Sequence, residues 1–226
     1  MGRTPPAAET PGQLDLCIAQ FIGENGAAGA AAISGAVGVD PRRVALLLAS
    51  LGRRGLVEEH RLLADRPALY ALSAGGWRAC GFAPPRARRP APGNFEHLTA
   101  VADTAAAMTG LGWLVLGERR YRLIERTTGD LIGSVPLGER LHRPDLLLIG
   151  GSRVIAVEVE LTVKAPRRLE RICRGFARAR HLDGVVYFAA PRPARAVQRA
   201  VAAAGAGGAV RVYALAETDE LRPPEP

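Results

Sequence analysis

The chain has 226 residues, 48% of them hydrophobic, so it is long enough for one large or two small domains with a real core. Its net charge is +8, carried almost entirely by arginine, which suits a polyanionic partner because guanidinium groups clamp phosphates in a bidentate way. No apolar run approaches the length of a membrane span and residues 1–11 lack the apolar stretch of a secretory signal, so a cytoplasmic protein that does not engage a membrane is expected.

In chain order, Leu14, Cys17, Ile18 and Phe21 recur at helical spacing. An Ala-rich helix over about 27–36 follows, with Ile33 and Val37 as its apolar marks. Asp40-Pro41 is a helix start, because Asp accepts from free N–H groups at the N-cap and Pro suits the first helical position. The helix it opens carries Val44, Leu47, Leu48 and Leu51 on one face and ends near Gly52 and Gly55. Leu56–Leu62 and Ala68–Leu72 read as two strands around Ala64-Asp65-Arg66-Pro67, and Ser73 can cap a last short helix with Trp77 and Cys80. This order resembles a winged helix-turn-helix domain over 12–82. The resemblance implies that the third helix enters the major groove, with Arg42 and Arg43 at its start and Arg53 and Arg54 at its end, and that Arg61 and Arg66 lie on the wing. The alternative is a protein-contact module whose arginines form a solvated face.

Residues 83–93 are rich in Pro and Arg without apolar period and read as a semi-extended linker. From Asn94, a possible N-cap, Leu98, Val101, Ala102, Ala105 and Met108 mark a helix up to Gly110. Trp113–Leu116 and Tyr121–Ile124 read as strands, then Thr127–Asp130 as a turn. Leu146–Ile149 and Val154–Leu161 are strands joined by Gly150-Gly151-Ser152. A helix over about 166–180 turns Leu169, Ile172, Cys173 and Phe176 inward and Arg167, Arg168, Arg171, Arg174 and Arg178 mostly outward, either a solvated basic face or, directly after an acidic strand, a phosphate-binding surface that would hold a DNA backbone. Val185–Phe188 is a short strand covered on both faces, followed by a helix over 194–204 and a strand over 210–215. The expected fold is α/β, α+β overall, with a mixed sheet flanked by helices over 94–216. The cysteines, Cys17, Cys80 and Cys173, lack zinc-ligand spacing and lie in apolar-periodic segments, as core thiols of a reducing compartment do. No coiled-coil heptads are present, so a homodimer would form through the folded domains.

Chemistry concentrates in Arg143-Pro144-Asp145 and Glu158-Val159-Glu160, with Lys164 beyond. Carboxylates are costly in strands that look buried unless they bind a metal or pair with a cation. Strand alternation points Glu158 and Glu160 the same way, about 6.6 Å apart. Asp145 on the neighbouring strand can approach Glu158. Such hard oxygen donors suit Mg²⁺, with Mn²⁺ as a substitute, and that metal would activate water for phosphodiester hydrolysis. The bland account is an ion network of Glu158 and Glu160 with Arg153, Arg168 or Lys164.

These residues, in this order of elements, resemble the PD-(D/E)xK nuclease superfamily, a restriction-endonuclease-like fold. The resemblance implies Asp145 and Glu158 as metal ligands, Glu160 in the position usually held by lysine, Lys164 as a replacement cation, and Glu96 as an extra acidic ligand. A narrower resemblance rests on Glu96-His97-Leu98-Thr99-Ala100-Val101-Ala102-Asp103, which is similar to a helix of the bacterial plasmid replication-relaxation family. That family joins a winged helix to a nuclease-like core, and the likeness runs from about 14 to 215. It implies DNA as partner, in plasmid or mobile-element handling. His97 joins the candidate site on that ground. Two functions are carried forward: a metal-dependent DNA endonuclease or nickase, and a non-enzymatic DNA-binding regulator with an inactive core.

Overall fold

The structure, a computed structural model, describes residues 12–81, 89–218 and 221–223. The expected linker is therefore seen from residue 89 only, its first part lying outside the described residues.

The N-terminal region runs α1 (Gln13–Asn25), β1 (Ala28–Gly29), α2 (Ala30–Val37), α3 (Pro41–Arg53), β2 (Val57–His60), β3 (Leu69–Leu72) and α4 (Ala74–Ala79). The three strands form one antiparallel sheet in the order β1-β3-β2. Both caps expected in this region form. Asp40 accepts from the backbone N–H of Arg42 at 2.9 Å and of Arg43 at 3.4 Å, and Ser73 accepts from Gly76 N–H at 3.0 Å. Ile18, Ile22, Ile33, Val44, Leu48, Leu51 and Trp77 fill the core between the helices.

The second region runs α5 (Phe95–Gly110), β4 (Leu114–Gly117), α6 (Glu118–Thr128), β5 (Val135–Leu137), β6 (Arg140–His142), β7 (Leu146–Gly150), β8 (Arg153–Glu160), α7 (Pro166–Ala177), β9 (Gly184–Ala189), α8 (Pro191–Ala204) and β10 (Val210–Ala214). Its five-stranded sheet has the order β10-β9-β8-β7-β4. β8, β9 and β10 are parallel, whereas β7 is antiparallel to both of its neighbours. The molecule is thus mixed α+β, with a mixed sheet flanked by helices. Alternation along β8 divides the core as its sequence dictates. Ala156 faces Leu169, Ile172 and Phe176 of α7 and Val197 of α8, while Val157 and Val159 face Val101, Ala105 and Met108 of α5. α5 also turns Ala102 and Ala106 into the N-terminal core, so one helix closes both regions.

Three expectations fail. Tyr121–Ile124 is not a strand but the middle of α6. Its inward residues are Tyr121 and Glu125, one helical turn apart, and an inward Glu disguised the period. Glu125 is buried because one oxygen accepts from the N–H groups of Ile132, Gly133 and Ser134, at 3.0, 3.0 and 2.8 Å, and the other from the Ser134 hydroxyl at 2.6 Å. Burial raises its pKa, but these bonds outweigh it and hold the carboxyl below its usual range. Second, Cys17 is exposed, whereas Cys173 is buried, because α1 buries Ile18 and Ile22 and leaves position 17 on its flank. Third, Asn94 sits at the start of α5 but does not cap it; its side-chain oxygen turns back to accept from Ala91 N–H at 2.8 Å. Near the C-terminal end, Leu221 C=O accepts from Trp113 Nε1 at 2.8 Å. No helix among the described residues is long and apolar enough to cross a membrane.

Candidate functional site

The carboxylates meet where the β7–β8 ladder ends. Leu146 pairs with Val157 in the last step of that ladder, which leaves Asp145 across from Glu158. The Asp145 backbone is pinned at both neighbouring points. Pro144 C=O accepts from the buried Tyr121 hydroxyl at 2.6 Å, and Asp145 C=O accepts from Glu118 N–H at 3.1 Å. Burial, reinforced by nearby carboxylates, pushes the Tyr121 phenol far above its ordinary value, so it stays a donor at any working pH. The Asp145 side chain then replaces the missing ladder bond, one oxygen accepting from Val159 N–H at 2.8 Å. Its other oxygen lies 3.2 Å from Nε2 of His97. That hydrogen bond raises the His97 pKa against the opposing effect of burial.

Glu158 and Glu160 point the same way from β8, and each is only 3% exposed. Glu158 Oε1 lies 2.6 Å from His142 Nε2, and its Oε2 lies 3.9 Å from Lys164 Nζ. Lys164 Nζ is also 2.5 Å from Glu160 Oε2. Burial raises the Glu158 pKa, opposed by His142. Burial works against the Lys164 charge, but Glu158, Glu160 and Asp145 outweigh it and raise the ammonium pKa. Lys164 is therefore a cation held between Glu158 and Glu160.

The structure brings together Asp145, Glu158, Glu160, Lys164 and His97. It does not bring Glu96, which points away to Arg66 at 3.1 Å and is largely exposed. His142 was missed. It arrives on the β5–β6 hairpin, where its ring stands edge-on against Phe176, centroids 5.4 Å apart. Gly175 of α7 permits that seating, because a Cβ there would come within 2.8 Å of Leu137 on the hairpin. A cavity of about 210 Å³ opens beside Asp145 and His97, bounded also by Glu24, Asn25, Glu118 and Arg119.

Asp145, immediately before β7, and Glu158 of β8 are hard oxygen donors, and Mg²⁺ needs only one or two carboxylates with water completing its shell. A carboxylate offers roughly four lone-pair sites, of which the protein engages only some in each. Among the described residues no three His, Cys, Asp or Glu side chains gather about a common ion position. A closed protein cage is thus absent among the described residues, and an ion held by Asp145 and Glu158 would take most of its shell from water.

The expected basic residues divide in two. Arg42, Arg43 and Arg53 on α3 are exposed, as are Arg167, Arg168, Arg171 and Arg174 on α7, the last paired with Glu170 at 3.2 Å. Arg54 instead binds Asp15 of α1 at 2.7 Å, Arg61 binds Glu59 at 2.7 Å, and Arg66 is held by Glu96. No protein-family model matches the chain, and no curated protein sequence matches it.

Proposed function

We propose that the chain is a DNA-handling protein in which an N-terminal winged-helix-like region binds the duplex and the α/β core carries a divergent phosphodiesterase site of the PD-(D/E)xK type. One observation carries the reading: Asp145, Glu158 and the only lysine of the chain converge at the end of one strand pair. Lys164, four residues beyond Glu160, puts its ammonium beside the carboxylates although the usual lysine position holds Glu160. Asp145 and Glu158 would hold Mg²⁺, which supplies Lewis acidity and a more acidic bound water. Lys164 offers a fixed positive charge to a phosphoryl oxygen gaining negative charge. His97, 45% exposed at its side chain and bonded to Asp145, faces solvent where a substrate can reach it. The proposed biological setting, plasmid or mobile-element replication and relaxation, rests on the motif resemblance at 96–103.

Supercoiled and branched DNA incubated with Mg²⁺ or Mn²⁺ tests this reading. The wild type is expected to nick or cut. Asp145→Ala and Lys164→Met are each expected to lose about 100-fold or more, the loss typical of removing one electrostatic catalytic group. No cutting, or equal cutting by the variants, removes the catalytic reading.

A second reading is favoured by one feature. Each carboxylate is already partnered inside the protein, by His97, His142 or Lys164, so the cluster is stable as a structural network. A non-enzymatic regulator would bind DNA equally well in EDTA and cut nothing.

A further inference from the structure

We infer that α7 and α8 together form one arginine platform that holds the duplex backbone beside the candidate site, with Arg192, Arg195 and Arg199 of α8 as binding residues. The inference rests on the DNA reading above and extends it to a surface that α7 alone does not define.

α7 and α8 lie side by side on one face of the sheet, sharing Leu169, Ile172, Phe176, Val197 and Val201 in a single core. Each helix therefore has one committed inner face and one free outer face. On α7 and its C-cap, Arg167, Arg171, Arg174 and Arg178 follow at spacings of four, three and four, which keeps them in one outward stripe. On α8, Arg192, Arg195 and Arg199 follow at three and four, again on one side and all exposed. Only Arg174 among these seven has an ion-pair partner among the described residues, Glu170. Unpaired guanidinium groups on a rigid helix are costly to crowd together and are offset when phosphates neutralise them.

The platform's direction is fixed by the strands. β8, β9 and β10 are parallel, so the helices that follow β8 and β9 both start at the same end of the sheet. That end is the site. Lys164 precedes Pro166 at the start of α7, and Ala190 N–H donates to Glu160 C=O at 3.0 Å immediately before α8 begins at Pro191. Arg167 and Arg192 thus stand at the ends of their helices nearest the carboxylate cluster, and the stripes run from there over Arg167–Arg178 and Arg192–Arg199, about 16 and 10 Å at the helical rise per residue. A duplex presents one phosphate charge per roughly 1.7 Å of axis, so a stripe of this length meets several phosphates. The contacts are to backbone, so they carry affinity and placement, not sequence.

The test is binding of a random-sequence duplex as a function of salt. The wild type is compared with the triple variant Arg192→Gln, Arg195→Gln, Arg199→Gln, with the same three positions changed to Lys, and with Arg42→Ala, Arg43→Ala. The glutamine triple is expected to lower the magnitude of the log–log salt slope by about 2 to 3 and to weaken binding about tenfold or more, because each lost phosphate contact removes about 0.9 from the slope. The lysine triple is expected to keep the wild-type slope. All three arginines are exposed, so circular dichroism and thermal unfolding should match the wild type. A glutamine triple with wild-type slope and affinity overturns the platform, while loss of binding in the Arg42/Arg43 variant would still uphold the DNA reading. A wild type with no salt-dependent binding to duplex overturns the DNA reading and the platform with it.

Discussion

Lys164 is the only lysine in a chain that otherwise uses arginine for positive charge, and it sits 2.5 Å from Glu160 and 3.9 Å from Glu158. An ammonium is a compact point charge that fits between two carboxylates, where a planar guanidinium needs a wider fork. Removing one partner of a buried ion cluster leaves uncompensated charge, whereas removing both sides of a pair restores balance. Lys164→Met is therefore expected to cost about 2–3 kcal/mol, below the value for fully buried pairs because Lys164 is a quarter exposed at its side chain. Adding Glu160→Gln should recover at least half. Urea unfolding with unchanged m-value measures both, and a double variant no more stable than the single would show that the two groups are not coupled. The in-line residues were legible because strand alternation fixes their direction: Glu158 and Glu160 had to share a face. Two neighbours were not. Glu96 and His97 are adjacent on a helix and so point about 100° apart, and only one of them can face Asp145; resemblance named both, and the structure places the histidine there. His142 lies 16 residues from Glu158 on a three-residue strand too short to show a period.

Among the helices of the second region, those with a mainly apolar inner face were readable, and the one that buries a carboxylate was not. α7 buries Leu169, Ile172, Cys173 and Phe176, a stripe visible in the sequence, whereas α6 buries Tyr121 and Glu125 and was mistaken for a strand. α3 shows how far an element's surface chemistry follows from the same pattern. Its outward arginines look alike in sequence, but Arg53 is exposed and Arg54 reaches back to Asp15 of α1. The two are expected to separate cleanly. Arg54→Ala should cost about 1 kcal/mol, because the pair is partly buried at both ends, and should leave duplex affinity within about twofold. Arg53→Ala should leave the unfolding midpoint unchanged and weaken duplex binding. Thermal unfolding and fluorescence anisotropy on the same two samples check this; a weaker-binding, fully stable Arg54→Ala would reverse the assignment.

At the scale of the molecule, the sequence suggested two regions joined by a linker, and the periodicity of α5 was read only as the opening helix of the second. Its stripe serves two partners. Val101, Ala105 and Met108 face the sheet, while Ala102 and Ala106 complete the core of Ile18, Ile33 and Leu48. Small residues at 102 and 106 allow α2 to approach closely, a signal that an apolar period alone does not convey. The regions are also tied by Arg119 of α6, stacked 4.6 Å over the Trp77 ring, and by Glu24 of α1, which accepts from Gly117 N–H at 3.3 Å. Gly117 is needed there because any Cβ would collide with the Glu24 carbonyl. These contacts place the cavity beside Asp145 between α1, α5 and α6, so the candidate site borders both regions. Residues 94–226 expressed alone should therefore expose the Ala102/Ala106 face of α5, unfold at lower temperature than the whole chain, and bind a hydrophobic dye. Adding a separate 1–93 fragment should raise the unfolding temperature in a concentration-dependent way, since binding to the native form alone stabilises by mass action. An isolated 94–226 fragment as stable as the whole chain, and indifferent to the added fragment, would show instead that α5 needs only the sheet.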